Sequence, residues 1–129
     1  MTASEKLWRY ITEHFAKTLM RGIDSTSYID MGVKIEMTDS GKLLIYNTMI
    51  GEDFRLVSSE ELSVFLNNGW EPGCNLVLAN NYYRRYRDLK QKLLWAENIG
   101  GDTESFNRRI EKTLKLADEY FIKYQELCV

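Results

Sequence analysis

The sequence predicts an α+β protein, in which an N-terminal helix lies on a small three-stranded antiparallel meander and is followed by a short helix and a C-terminal antiparallel helical hairpin. Apolar residues recur every three or four positions near the N-terminus and through the C-terminal part, but alternate with polar residues in between. The 129 residues suit one small domain with a helical extension. With 44% hydrophobic and 28% charged residues, the chain can form a packed core.

The first helix is predicted to begin at Ser4 and to end at Gly22. Ser4 is a residue type that caps helix N-termini, and glycine readily takes the left-handed conformation that ends a helix. One face of this helix carries its apolar side chains: Leu7, Trp8, Ile11, Phe15 and Leu19.

The meander is predicted from a change to a two-residue period. The apolar positions of its first strand alternate with polar ones: Val33, Ile35 and Met37. The segment TDSGK at 38–42 predicts a hairpin turn with Gly41 at positive φ, and 43–46 returns as the second strand. A turn at Gly51-Glu52-Asp53 leads to the apolar positions of a third strand: Phe54, Leu56 and Val57. The first helix is expected to cover one face of this meander.

A short amphipathic helix is predicted next. Ser58 stands three residues before Glu61, as in a capping box, where each side chain bonds a backbone N–H at the start of the helix. We expect this helix to bury three side chains: Leu62, Phe65 and Leu66. Gly69 is expected to close it in the αL conformation, with Trp70 packed back on the helix and Pro72-Gly73 forming a turn. The predicted structural anchors are Gly69, Trp70 and Gly73.

Two long helices complete the chain. The first is predicted from about Leu76 or Ala79 to Asn98, with an apolar face formed by Tyr83, Tyr86, Leu89 or Lys90, Leu93 and Ala96. The segment NIGGD ends it, and a last helix is predicted from Thr103 to about Leu127. The seam of the last helix consists of Phe106, Ile110, Thr113, Ala117, Tyr120, Tyr124 and Leu127. We therefore divide the chain into a 1–74 α+β core and a 75–129 helical hairpin, and expect the two to pack as one unit.

The segment IYNTMIGEDFRLVSSEELSVFLNNGWEPG, from Ile45 to Gly73, resembles a short module of bacteriophage proteins that is often appended to GIY-YIG or HNH homing endonucleases. The matching positions are Asn47, Gly51, Val57, Glu61, Leu62, Leu66, Gly69, Trp70 and Gly73. The family commonly has arginine after the last glycine, where this chain has Cys74. The nuclease motifs are absent, so the resemblance implies a phage or prophage origin and a role close to DNA without cleavage.

No catalytic or cofactor motif is present in the sequence. His14 is the only histidine, so a Ser-His-Asp or Cys-His site would have to recruit it from the first helix. Cys74 and Cys128 show no CxxC spacing, which argues against zinc, and two cysteines in a chain of this size favour reduced thiols. No glycine-rich phosphate loop follows a strand. We therefore predict a protein that is not an enzyme and has no metal or cofactor.

Neither a secretory signal nor a membrane-spanning stretch is predicted. We therefore expect a cytoplasmic protein without membrane association, located in the host cytoplasm if it is phage-encoded.

The segment NNYYRRYRDLKQK, Asn80 to Lys92, is the one functional candidate. It interleaves basic and tyrosine side chains, which can bind phosphates and stack on bases. The candidate binding residues are Tyr82, Arg84, Arg85, Arg87, Lys90 and Lys92. The structural alternative is a two-sided helix, with tyrosines toward the meander and arginines in water or against the last helix. In that case some of the basic side chains form ion pairs within the helix, such as Arg84 with Asp88.

Two functions follow from these patterns. The first is a small non-enzymatic, phage-type accessory protein that binds nucleic acid or its processing machinery through the basic, tyrosine-rich helix. The overall net charge of −2 confines any such contact to a local basic face. The alternative is a protein–protein interaction module that acts through the C-terminal hairpin, as an inhibitor of a host or defence protein or as an assembly factor. The long seam of the last helix also allows a homo-oligomer.

Overall fold

The computed structural model describes residues 1–17, 27–50 and 54–129. These residues form two compact units, Met1–Cys74 and Asn75–Val129. The first unit contains a helix, an antiparallel sheet and a second helix, and the second contains a helical hairpin. The α+β class predicted from the sequence is confirmed.

Helix α1 spans Ala3–Lys17 and buries Leu7 and Ile11. Its N-terminus is capped by Thr2, whose hydroxyl accepts a hydrogen bond from the Glu5 N–H at 3.1 Å. The prediction that Ser4 caps this helix is therefore wrong, since Ser4 lies within its first turn. The predicted end at Gly22 lies outside the described residues.

The sheet has four antiparallel strands in the order β1-β2-β3-β4, where the sequence predicted three. The strands are β1 Ser27–Asp30, β2 Val33–Met37, β3 Leu43–Asn47 and β4 Arg55–Leu56. The additional strand is β1. The turn predicted at 51–53 lies outside the described residues.

Two tight turns fix the register of the sheet. Asp30 pairs with Val33 across a two-residue turn, in which Met31 and Gly32 both have positive φ, at 52° and 79°. This turn geometry matches the right-handed twist of the flanking strands. Gly41 has a φ of 82° in the turn between β2 and β3, as predicted.

One face of the sheet forms the core of the first unit. Its fully or nearly fully buried side chains are Val33, Ile35, Leu43, Ile45 and Asn47. The ring of Trp8 on α1 lies 5.4 Å from the ring of Tyr28 on β1, so α1 contacts this sheet. The opposite face keeps aromatic side chains partly exposed, with the Tyr46 and Phe54 rings 5.0 Å apart.

Helix α2 spans Ser59–Asn68, and the predicted capping box is present. The Glu61 N–H donates to the Ser58 hydroxyl, and the Ser58 N–H donates to the Glu61 carboxylate at 2.9 Å. The helix buries Val64 and Phe65. Of the other predicted core positions, Leu62 is half-buried and Leu66 is exposed, so the apolar face was placed about one residue too far along the chain.

Gly69 ends α2 with φ 103° and ψ −176°, so the predicted αL conformation is wrong, although positive φ is correct. This region of backbone conformation is essentially restricted to glycine. Trp70 packs back on α2, as predicted, with its ring 5.4 Å from that of Phe65. Its indole N–H also donates to the Asp30 carboxylate at 2.8 Å.

Helix α3 spans Trp70–Asn98, so Pro72 and Gly73 lie inside a helix and do not form the predicted turn. Pro72 is in the first turn, where the backbone N–H has no helical partner and proline is tolerated. Gly73 is required by packing, because a Cβ at this position would overlap the ring of Phe65.

The second unit is the predicted antiparallel hairpin, made of the larger part of α3 and of α4, Glu104–Leu127. Leu89 and Ala96 on α3 are buried, as are Thr113 and Ala117 on α4. The predicted seam of α4 is confirmed at these two positions, whereas Leu127 at its end is 40% exposed.

Candidate nucleic-acid interface

The basic residues of the predicted site lie in the middle of α3, within the second unit. Successive residues of an α-helix are rotated by about 100°, so residues three, four, seven and eleven positions apart share a face. Leu89 and Ala96 define the buried face of this part of α3. Arg84 and Arg87 lie on the opposite side, together with Gln91. The helix therefore separates an apolar face from a basic one.

Arg84 and Arg87 are both exposed. Within the described part of the chain, neither guanidinium group forms a salt bridge or other polar contact. Asp88, predicted as the partner of Arg84, lies instead 3.3 Å from the Lys92 ammonium group. The negative charge of Asp88 is thus offset by Lys92, and the two arginines remain available to an external anion.

The other cations of the site differ in their surroundings. Lys90 is exposed, and its ammonium nitrogen lies 5.3 Å from the ring centre of Tyr86. Arg85 is half-buried and interacts with other groups of the protein. Of the six predicted binding residues, only Arg84, Arg87 and Lys90 are exposed cations without a carboxylate partner among the described residues.

Tyr82 lies in the interior of the hairpin. It is 5% exposed, and its ring is stacked on that of Tyr120 at a centroid distance of 5.7 Å and an angle of 4°. A ring held in this way has no free face for a nucleotide base. The structure therefore places Tyr82 among the packing residues and not on the binding face proposed from the sequence.

Tyr83 contacts α4 instead of pointing to solvent. Its hydroxyl donates a hydrogen bond to Asp118 at 2.6 Å, and its ring lies edge-on to that of Phe121. Burial of the phenol raises the pKa of Tyr83 to about 12, and the hydrogen bond to Asp118 and its negative charge add to this effect. Tyr83 is thus a neutral donor that joins the two helices.

An exposed apolar group lies at the end of α3, and the sequence analysis did not identify it. Leu94, Trp95 and Ile99 are 61%, 66% and 62% exposed. Trp95 follows Arg84 by eleven positions and therefore lies on the same side of the helix. The signal was present in the helical register, because Ala96 and Leu89 define the buried face and Trp95 is rotated by roughly 110° from it, toward Arg84.

The predicted anchors Gly69, Trp70 and Gly73 lie in the first unit, around the junction of α2 and α3. Trp70 is buried by Phe65 and hydrogen-bonded to Asp30, and Gly73 admits the Phe65 ring. These residues have a structural role in the first unit.

Other groups with reactive chemistry are dispersed or buried. Cys74 and Cys128 are free thiols, and burial raises the pKa of Cys74 well above its usual value, with the charges of Asp30 and Glu71 adding to the effect. A buried thiol with a raised pKa is a poor nucleophile. No group of three or more metal-binding side chains is found among the described residues. The side chain of His14 lies outside them.

Comparison of the chain with protein-family models, curated proteins and solved structures gave no match. The resemblance of Ile45–Gly73 to the phage module stays a prediction from the sequence. None of the helices in the described ranges is long and apolar enough to span a membrane.

Proposed function

We propose that the protein is a small non-enzymatic accessory protein that binds nucleic acid through the exposed basic face of α3, formed by Arg84, Arg87 and Lys90. The supporting observation is the absence of salt-bridge partners for Arg84 and Arg87 among the described residues. A guanidinium group binds phosphate oxygens through paired, charge-assisted hydrogen bonds. Two such groups, one helical turn apart, match a repeating anion such as a phosphate backbone.

The distribution of charge along the chain supports the same proposal. Basic residues outnumber acidic ones in Asn75–Val129, whereas acidic residues are in excess in Met1–Cys74. The net charge of −2 therefore combines an acidic first unit with a basic second unit. A local basic face is sufficient to attract a polyanion, since electrostatic attraction at physiological ionic strength acts over about 8 Å.

In keeping with the resemblance to the phage module, we propose that the protein is encoded by a phage or prophage and acts in the host cytoplasm. Its ligand is then phage or host nucleic acid, met free or within nucleic-acid-processing machinery.

The test compares the double variant Arg84→Ala/Arg87→Ala with a matched control, Lys6→Ala/Arg9→Ala. Both variants remove two exposed cations spaced three residues apart on a helix, and both change the net charge equally. In the first variant we expect affinity for DNA or RNA to fall by about tenfold or more, and the slope of log affinity against log salt to decrease by roughly two.

The control variant should keep both the affinity and the salt slope of the original protein. If the original protein does not bind DNA or RNA even at low salt, or if the two variants weaken binding equally, the proposed function is wrong.

The second candidate, a protein–protein interaction module, is favoured by the exposure of Leu94, Trp95 and Ile99. Tryptophan is among the residues that contribute most to protein interfaces, and large exposed apolar side chains are common at docking surfaces. The partner is then a host protein, a phage protein or a second copy of this chain. A mass that rises with concentration, together with indifference to nucleic acid, would favour this candidate.

A further inference from the structure

We infer that the ligand of the basic face is single-stranded nucleic acid, and that Trp95 provides the aromatic surface on which an unpaired base stacks. The inference rests on the proposed function and names its substrate class. The stacking role is thus assigned to Trp95, which is 66% exposed, and no longer to Tyr82, the aromatic residue suggested by the sequence.

The register of α3 places Trp95 at the end of the basic face. Arg84, Arg87, Gln91 and Trp95 follow one another at spacings of three and four residues, so they form a single stripe along the helix. At a rise of about 1.5 Å per residue, the stripe extends over roughly 16 Å between the first and last of these residues. Two cationic groups, a polar amide and an aromatic ring therefore follow one another along one exposed surface.

The combination of charge and apolar surface favours a single strand. Proteins that bind single strands pair a cationic track for the phosphates with aromatic rings for the bases. In a duplex the faces of the bases are stacked on one another, and only their edges and the phosphates are accessible. Leu94 and Trp95, both more than 60% exposed, have no apolar counterpart on a duplex backbone, but match the exposed base faces of a single strand.

The charge of the stripe argues against a purely apolar partner. A protein surface that covers Trp95 and Leu94 would also approach Arg84 and Arg87, and would leave their guanidinium groups desolvated unless it supplied anions. Asp88 lies near the same face, but its carboxylate is offset by Lys92 at 3.3 Å. The stripe therefore presents net positive charge beside an apolar ring.

The experiment compares a labelled single strand of about twenty nucleotides, of mixed sequence, with the same strand annealed to its complement. Binding is measured by fluorescence anisotropy for the original protein, for Trp95→Phe and for Trp95→Leu. Leucine keeps an apolar side chain and a good helix former but removes the π-surface, whereas phenylalanine keeps an aromatic ring. Since Trp95 is largely exposed, both variants should retain the thermal stability of the original protein.

We expect the original protein to prefer the single strand. Loss of a stacked base corresponds to about a fivefold to hundredfold weaker binding, which we expect for Trp95→Leu on the single strand. Trp95→Phe should retain most of the affinity, and neither variant should alter binding to the duplex. Binding of the single strand should also quench intrinsic tryptophan fluorescence in the original protein and not in Trp95→Phe. Of the other two tryptophans, Trp70 is buried, and Trp8 is half-buried with its ring 5.4 Å from that of Tyr28.

Equal affinity for duplex and single strand, with Trp95→Leu binding as well as the original protein, would overturn the inference and leave the proposed function intact. Absence of binding to either ligand at low salt would overturn both. A concentration-dependent mass that Trp95→Leu abolishes, without nucleic-acid binding, would likewise overturn both in favour of the protein-interaction candidate.

Discussion

Arg55 donates hydrogen bonds from two guanidinium nitrogens to the two carboxylate oxygens of Glu61, at 2.8 and 2.6 Å. The Glu61 side chain is fully buried, and the side chain of Arg55 is 17% exposed. The same carboxylate also accepts the Ser58 N–H of the capping box. One buried anion thus joins strand β4 to the start of α2.

Replacement of Glu61 should therefore destabilise the first unit strongly. Removing one partner of a buried ion pair leaves the other charge uncompensated, and we expect Glu61→Ala to lower the free energy of unfolding by about 3–5 kcal/mol. The matched control is Glu60→Ala, since Glu60 is the exposed neighbour in the same helical turn and should change stability by less than about 0.5 kcal/mol. Urea unfolding measures both. Equal effects of the two substitutions would show that the ion pair does not hold this junction.

A second prediction concerns the close approach of α3 to α2. A Cβ at Gly73 would overlap the ring of Phe65, which is 1% exposed and cannot turn into solvent. We expect Gly73→Ala to cost about 1–3 kcal/mol by overpacking, despite the higher helix propensity of alanine. Gly101→Ala is the control, because a Cβ there meets no atom closer than 3.6 Å. Thermal unfolding should show a lower midpoint for Gly73→Ala alone, and an unchanged midpoint would contradict this packing.

The elements of the first unit differed in how readily the sequence revealed them. The capping box at Ser58 and Glu61 was predicted because its partners are three residues apart, and local spacing fixes local hydrogen bonds. The helical conformation of Pro72-Gly73 was not predicted, because its cause is the ring of Phe65, a contact that only the folded chain contains. Strand β1 was missed because its turn uses Met31 at positive φ, which is uncommon for residues other than glycine.

The candidate site shows the same distinction. The basic character of Arg84 and Arg87 was evident from the sequence, but only the structure shows that Asp88 pairs with Lys92 and that neither arginine forms a salt bridge among the described residues. Aromatic residues near the arginines suggested stacking on bases, yet Tyr82 belongs to the buried face of α3 and Trp95 to the exposed one. Composition therefore indicated the kind of site, whereas the choice of aromatic residue required the helical register.

A third prediction follows from the hydrogen bond of Tyr83 to Asp118. The pKa of Tyr83 is raised to about 12, chiefly by burial and then by Asp118, whereas an unfolded tyrosine ionises near 10. Between these two values the unfolded chain has lost the proton and the folded chain retains it. This contribution to stability is therefore complete below pH 10 and is lost as the pH rises to about 12.

Ultraviolet titration of tyrosinate checks this prediction. Tyr83→Phe should remove one late-titrating group, and Asp118→Asn should lower the pKa of Tyr83, because it removes the nearby negative charge. Glu119→Gln, at the exposed neighbour of Asp118, should leave the late step in place. A late step that persists unchanged in Tyr83→Phe would assign it to another tyrosine and contradict the prediction.

The last prediction separates packing from binding on α3 by replacing two aromatic residues, one buried and one exposed, each by leucine. Tyr82 is 5% exposed and stacked on Tyr120, whereas Trp95 is 66% exposed. Tyr82→Leu should lower the free energy of unfolding by about 1 kcal/mol for the lost ring pair. It should leave the affinity of the folded protein for single-stranded nucleic acid within about twofold, because Tyr82 does not reach the binding face.

Trp95→Leu should instead leave the free energy of unfolding unchanged and reduce the affinity for single-stranded nucleic acid. Measuring both variants by urea unfolding and anisotropy gives a crossed pattern if the buried ring is structural and the exposed ring contacts the ligand. A loss of affinity in folded Tyr82→Leu as large as that in Trp95→Leu would instead assign the binding role to the tyrosine-rich face that the sequence first suggested.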